Sequence, residues 1–128
     1  MKLSFLMPLT LENIARARKL SYDGLEVGAG WLTSPTLGEL EQSLPALKDA
    51  LGEAEIGVTS VAIYGNTIGT PADEAVAYWE RAMRVTIALG CRVVSGLTGR
   101  DNALTVDESL PLFRERFDPI CRRAQDLG

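Results

Sequence analysis

Lys19-Leu20-Ser21-Tyr22-Asp23-Gly24-Leu25-Glu26-Val27 carries the end of a helix, a turn and a short strand in one stretch. Before it, Leu11, Ile14, Ala15, Ala17 and Leu20 recur at helical spacing, leaving Arg16, Arg18 and Lys19 for the solvent side, and Thr10 is placed to cap the helix. Within it, Tyr22, Asp23 and Gly24 turn the chain into the strand Leu25 to Val27. Further upstream, Lys2 to Leu9 is an apolar run too short for most helices and ends at Pro8 and Thr10, so it reads as a buried strand. Strand, helix and strand in this order imply a parallel pair, because a tight hairpin cannot join parallel strands and a helical crossover can.

The same alternation runs to the end of the chain. Gly28 to Pro35 is a glycine-containing loop, Thr36 and Glu39 have capping-box spacing, and a helix is expected from about Leu37 to Leu51, with Pro45 predicting a kink or two shorter pieces. Gly57 to Tyr64 has the composition of an enclosed strand. Thr70 and Pro71 predict a cap and first turn for a helix whose apolar face is Val76, Trp79, Ala82, Met83, Ile87 and Leu89. Cys91 to Leu97 is a fourth strand, left through Gly96, Gly99, Arg100 and Asp101. Thr105 and Glu108 then open a last helix with Phe113, Phe117 and Ile120 on its buried side and a break expected at Asp118-Pro119. The helices finish on a weakly repeated phrase, Leu20-Ser21, Leu51-Gly52, Leu89-Gly90 and Leu127-Gly128.

Four successive β/α units with parallel strands define an α/β fold, either an open flavodoxin-like sheet or half of an eightfold β/α barrel. The first strand leads into Met7-Pro8-Leu9-Thr10-Leu11, which has no glycine turn to bring backbone amides up to a phosphate, so a nucleotide-binding open sheet is disfavoured. With 128 residues, 46% hydrophobic and 23% charged, the chain is sized and composed for one domain with a core. A net charge of −4 without a basic stripe argues against a nucleic-acid partner. The start MKLSFLMPLT has no small-residue cleavage pattern and no long apolar run, so a soluble, cytoplasmic protein without membrane contact is expected. Cys91 and Cys121 lack CxxC spacing and read as reduced thiols. The chain has no His, which removes the commonest metal ligand and general base from anything these residues do alone.

Leu20-Ser21-Tyr22-Asp23-Gly24-Leu25-Glu26 resembles the leucine-glycine-aromatic-aspartate-glycine-x-glutamate signature on the second strand of sugar phosphate isomerases and epimerases with the xylose isomerase-like TIM barrel. Tyr78-Trp79-Glu80-Arg81 through Leu89-Gly90-Cys91-Arg92-Val93-Val94 is similar to the third helix and fourth strand of that group, including the ketose epimerases. Ser21 replaces the usual Gly, a change the fold tolerates where the local backbone avoids a left-handed conformation. The DNA-repair endonucleases of the same superfamily carry His near the third and fourth strands, where this chain has Tyr64 and Ser95-Gly96-Leu97. The resemblance implies that residues 1–128 are the N-terminal half of the barrel, truncated before the fifth strand. It also implies a divalent metal (Mn, Mg, Co or Zn) for the full-length family, with ligands mostly from the second half, so that this chain alone binds none and has no catalytic residue.

Polar residues at the C-terminal ends of the strands are the candidates for substrate contact, since that end of a barrel is its catalytic face. Glu26 reads either as a pocket-lining carboxylate for sugar hydroxyls or as a partner of a basic side chain on a nearby loop. Tyr64 and Asn66 at the end of the third strand, and Ser95 and Thr98 at the end of the fourth, are candidate hydrogen-bonding groups, and Trp31 is placed to stack on a sugar ring. Each has a bland alternative as a loop or rim residue. Arg100 reads as a solvated loop charge, Asp101, Asp107 and Glu108 as loop and helix-start charges, and Trp79, Met83, Phe113 and Phe117 as helix packing. The expected role is one wall of the pocket of a metal-dependent sugar (phosphate) isomerase or epimerase, inactive alone. The alternatives are a non-catalytic half-barrel that pairs through its exposed edges with a second copy or another protein, and a flavodoxin-like binding module.

Overall fold

The computed structural model describes residues 2–29 and 35–128. Its elements alternate without exception: β1 (Ser4–Met7), α1 (Leu11–Lys19), β2 (Gly24–Gly28), α2 (Leu37–Ala54), β3 (Gly57–Ile63), α3 (Ala72–Ala88), β4 (Val94–Gly96) and α4 (Val106–Leu127). The four strands form one sheet in the order β1-β2-β3-β4, every pair parallel. Right-handed crossovers in that order put all the helices on one face, which is the arrangement of half a TIM barrel.

The pleat assigns the two faces. Leu25, Val27, Val61 and Ile63 are inaccessible and pack with Ile14, Ala17, Leu40, Leu47, Ala82 and Val85 from the helices. Burying each large aliphatic side chain contributes about 1.5–3 kcal/mol, so this layer is the main source of stability. The alternate residues Leu6, Glu26 and Ser60 stand level with one another on the other face, as do Gly28, Ala62 and Ser95 one step further along. In β3 an extra residue, Thr59, bulges between the partners of Leu25 and Glu26, and its hydroxyl donates to the Leu25 carbonyl at 3.2 Å.

The stretch around Asp23 joins the first two units. Its side chain accepts the Leu3 amide at 2.7 Å, and its own amide donates to the Leu3 carbonyl, so one residue holds the start of β1 against β2. Gly24 has no room for a side chain, since a Cβ there would lie 3.0 Å from the Gly57 carbonyl oxygen and 2.9 Å from the Thr59 methyl.

Three helices end in the same way. The amides of Ser21 and Tyr22 donate to Arg18 and Ala17, those of Glu55 and Ile56 to Gly52 and Leu51, and those of Gly90 and Cys91 to Ile87 and Thr86. Each pair is a Schellman ending with a left-handed residue in the middle, at φ 59° for Ser21, 56° for Glu55 and 75° for Gly90. Ser21 therefore occupies the left-handed conformation that its replacement of Gly was expected to avoid. The expected end of the second helix at Leu51-Gly52 is also corrected, because α2 continues to Ala54 and turns at Glu55. Ser21→Gly is expected to raise stability by about 0.5–1 kcal/mol, the relief of left-handed strain less the entropy of a freer unfolded glycine. Urea denaturation checks this, and no gain would mean that the serine backbone is unstrained.

Several boundaries differ from the sequence expectation. β1 and β4 are shorter than Lys2 to Leu9 and Cys91 to Leu97, and β1 is largely exposed rather than buried, because among the described residues each pairs on one side only. Pro45 does not break α2, and Pro111 and Asp118-Pro119 do not break α4. The lost amide donors are outweighed by packing, through Leu37, Leu40, Leu47 and Leu51 in α2 and through Phe117 and Ile120 in α4. Pro71, not Thr70, precedes α3, and Thr70 instead donates its hydroxyl to the Asn66 carbonyl. The Thr36–Glu39 and Thr105–Glu108 capping boxes are both formed. Their carboxyls are held below the usual carboxylate range, chiefly by the bond from the cap backbone amide.

Candidate functional site

Among the described residues, the helix-free face of the sheet carries one polar pair. Glu26 points from the middle of β2 and Tyr64 follows the end of β3, and the phenol donates to Glu26 Oε1 at 3.5 Å in a half-buried setting. The Tyr64 ring lies over Gly28, 3.5 Å from where a Cβ would sit, so a glycine there leaves room for the aromatic ring. Burial foremost, then the charge of Glu26, raises the Tyr64 pKa above its ordinary value of 10. The phenol thus stays a protonated donor through the neutral range, and Glu26 is its acceptor. The basic partner considered for Glu26 is replaced by this tyrosine.

Ser95 stands on the same face, exposed, level with Ala62 and Gly28 and one step nearer the C-terminal end than Glu26. Ser60 lies directly beside Glu26 in register and was not singled out from the sequence. Strand parity held the signal for it, since Ser60, Ala62 and Tyr64 alternate onto one face.

Asn66 and Thr98 sit at the rim and serve the loops. The Asn66 side-chain amide donates to the Arg100 carbonyl at 3.0 Å and accepts from the Gly69 amide at 3.0 Å, tying the loop after β3 to the loop after β4. Gly99, at φ 72°, permits this approach, because a Cβ there would lie 1.9 Å from Asn66 Oδ1. The Thr98 hydroxyl donates to the Gly99 carbonyl, and the Thr98 carbonyl accepts from the Ile68 amide. Thr98 and Arg100 line a cavity of about 400 Å³ whose opposite side is the start of α4, at Val106, Leu110 and Phe113. Trp31 lies outside the described residues.

These residues do not make a metal centre. Among the described residues no three or more His, Cys, Asp or Glu side chains gather to hold an ion, and the polar pair supplies a single carboxylate, Glu26. No described helix is long and apolar enough to cross a membrane.

Residues 14–128 match the family of xylose isomerase-like TIM barrels. The chain belongs to that family. No protein of curated function matches this xylose isomerase-like chain. Among solved structures it is similar to 3-keto-D-glucoside 4-epimerase from E. coli, at 19% identity and a TM-score of 0.68, covering 99% of this chain and 51% of the epimerase. It is also similar to D-psicose 3-epimerase from Clostridium cellulolyticum H10, at 16% identity and a TM-score of 0.73, covering 100% and 50%. A third is the "probable 3-DHS dehydratase" from Bacillus anthracis, at 12% identity and a TM-score of 0.73, covering 99% and 49%. The xylose isomerase-like chain thus spans about half the length of these structures, and at such identities the likeness is one of fold.

Proposed function

We propose that these four units are the N-terminal half of a metal-dependent sugar or sugar phosphate isomerase or epimerase, and that they furnish one wall of its substrate pocket. The observation that carries the reading is the Glu26–Tyr64 pair on the helix-free face, where the carboxylate accepts from one sugar hydroxyl and the phenol oxygen, its proton directed to Glu26, accepts from another. Ser95 and Ser60 extend the same polar strip, whereas Asn66 and Thr98 shape the rim. The chemistry of the class moves a proton next to a carbonyl, and a divalent metal, held by residues other than these, supplies charge stabilisation there. The half-barrel alone is expected to show no turnover. The same reading places the protein in the cytoplasm, in line with Cys91 and Cys121 being free thiols.

The test is a titration of the 128-residue chain with a ketohexose, followed by amide NMR. Shifts are expected to centre on Glu26, Ser60, Tyr64 and Ser95, and Glu26→Gln is expected to weaken binding about tenfold, as loss of a charged acceptor does. Shifts confined to the helices, or metal-dependent turnover by the pure chain, would sink the reading.

A further inference from the structure

We propose that Glu26 and the acidic first turns of the four helices make this wall selective for an uncharged polyol, so that the part of the substrate lying against it bears hydroxyls and no phosphate or carboxylate. The proposal rests on the sugar reading above and narrows it. In each β/α unit the helix starts where the strand ends, so the helix N-termini stand around the C-terminal ends of the strands, the end at which a barrel binds its substrate. Free amides at such helix starts are the usual phosphate cradle of β/α folds. Here each start already holds a carboxylate: Glu12 in α1, Glu39 in α2, Asp73 and Glu74 in α3, and Asp107 and Glu108 in α4.

Two of those carboxylates sit on the amides that an anion would need. Glu39 Oε2 accepts from the Thr36 amide at 2.6 Å and Glu108 Oε2 from the Thr105 amide at 2.8 Å, while the two threonine hydroxyls each accept the glutamate amide at 3.3 Å. In α1 the Thr10 hydroxyl accepts the Asn13 amide at 3.1 Å. The segments that join strand ends to helix starts bring little positive charge to offset these groups. Of the 13 Lys and Arg residues, Arg100 alone falls within residues 8–10, 29–36, 64–71 and 97–105, and Asp101 follows it directly. Arg100 lines the cavity it shares with Leu110 and Phe113 of α4.

The strands make the same selection. Glu26 is bonded to a neutral phenol and, among the described residues, enters no ion pair, so its charge stands uncancelled on the helix-free face. The carboxylate and the phenol oxygen both wait for a donor, which a sugar hydroxyl supplies and a phosphate dianion, having no proton, does not. Ser60 beside Glu26 and Ser95 one step further along both give and take hydrogen bonds, as neighbouring hydroxyls of a polyol require. Repulsion between like charges is strongest where the site is half enclosed, so an anionic group is turned towards whatever faces this wall across the pocket.

The test is amide NMR of the 128-residue chain at low salt, titrated separately with fructose, with a terminal phosphate ester of fructose and with inorganic phosphate. Fructose is expected to bind about fivefold more tightly than the ester. In about 0.5 M sodium chloride that ratio is expected to fall towards one, because salt screens repulsion between charges and leaves hydrogen bonds to the hydroxyls in place. Glu26→Gln is expected to collapse the ratio in the same way. Asp49→Asn removes an equal charge from an exposed position in the later part of α2 and is expected to leave the ratio unchanged. Inorganic phosphate is expected to move no amide at the four helix starts. An ester that binds as tightly as fructose, a ratio that Asp49→Asn lowers as much as Glu26→Gln, or saturable shifts at the helix starts with inorganic phosphate overturns the proposal. If fructose itself moves nothing, the sugar reading fails, and the inorganic phosphate titration still decides whether this end of the sheet refuses anions.

Discussion

Trp79→Ala is expected to lower the melting temperature by about 15 °C at fixed protein concentration, from a loss of roughly 3–5 kcal/mol. Three contacts are removed together. The indole Nε1 donates to Thr67 Oγ1 at 3.1 Å, and the Thr67 hydroxyl in turn donates to the Leu97 carbonyl at 3.3 Å, so a buried chain of hydrogen bonds links α3 to the end of β4. The ring lies against Gly96 and meets Phe117 edge-on, with centroids 5.6 Å apart. Trp79→Phe keeps a ring but not the donor, and its cost is expected to be about 1–2 kcal/mol, the penalty of a buried acceptor left without its partner. Equal losses in the two variants would mean that the hydrogen-bond chain, not the aromatic packing, carries the contribution. Thermal and urea denaturation of both variants distinguishes the cases.

Gly96→Val is expected to cost roughly 2–3 kcal/mol and to loosen β4 from the sheet. A Cβ at Gly96 would lie 2.9 Å from the Ile63 carbonyl oxygen and 2.9 Å from Trp79 Cη2, a sheet backbone atom on one side and a rigid buried ring on the other. Overpacking of this kind forces backbone shifts rather than side-chain rotation. Because the clash is with the indole, Gly96→Ala is expected to cost less in the Trp79→Phe background than in wild type, with a coupling of at least about 0.5 kcal/mol. Additive losses in that cycle would show that the backbone clash with Ile63 alone sets the cost.

The element order, the parallel sheet and both capping boxes were legible because they rest on neighbours within a helical turn or on strand parity. Trp79 and Met83 were legible as core for the same reason, since they fall on one face of a helix. The boundaries that failed are those where distant packing outweighs a local signal. Pro45 and Pro119 weaken their helices locally, yet both helices persist because Leu40, Leu47 and Leu51 of α2 and Phe117 and Ile120 of α4 pack into the core. Glu55 shows no local reason to turn left-handed, but α2 must end there for Ile56 to enter the core. Asn66 looked available for a ligand, and only the neighbouring β4–α4 loop shows that its amide is engaged.

By itself the sequence determined that four strand–helix units follow one another and which faces of the helices are apolar. Those properties depend on periods of two and 3.6 residues and on capping chemistry that acts over three or four positions. The tertiary structure alone decided that Glu26 meets Tyr64, that Asn66 is tied to Arg100, and that Trp79 needs a glycine at position 96. Each of those pairs is separated by 17 to 38 residues, and parallel strands and crossover helices bring them together through register, which no local pattern encodes.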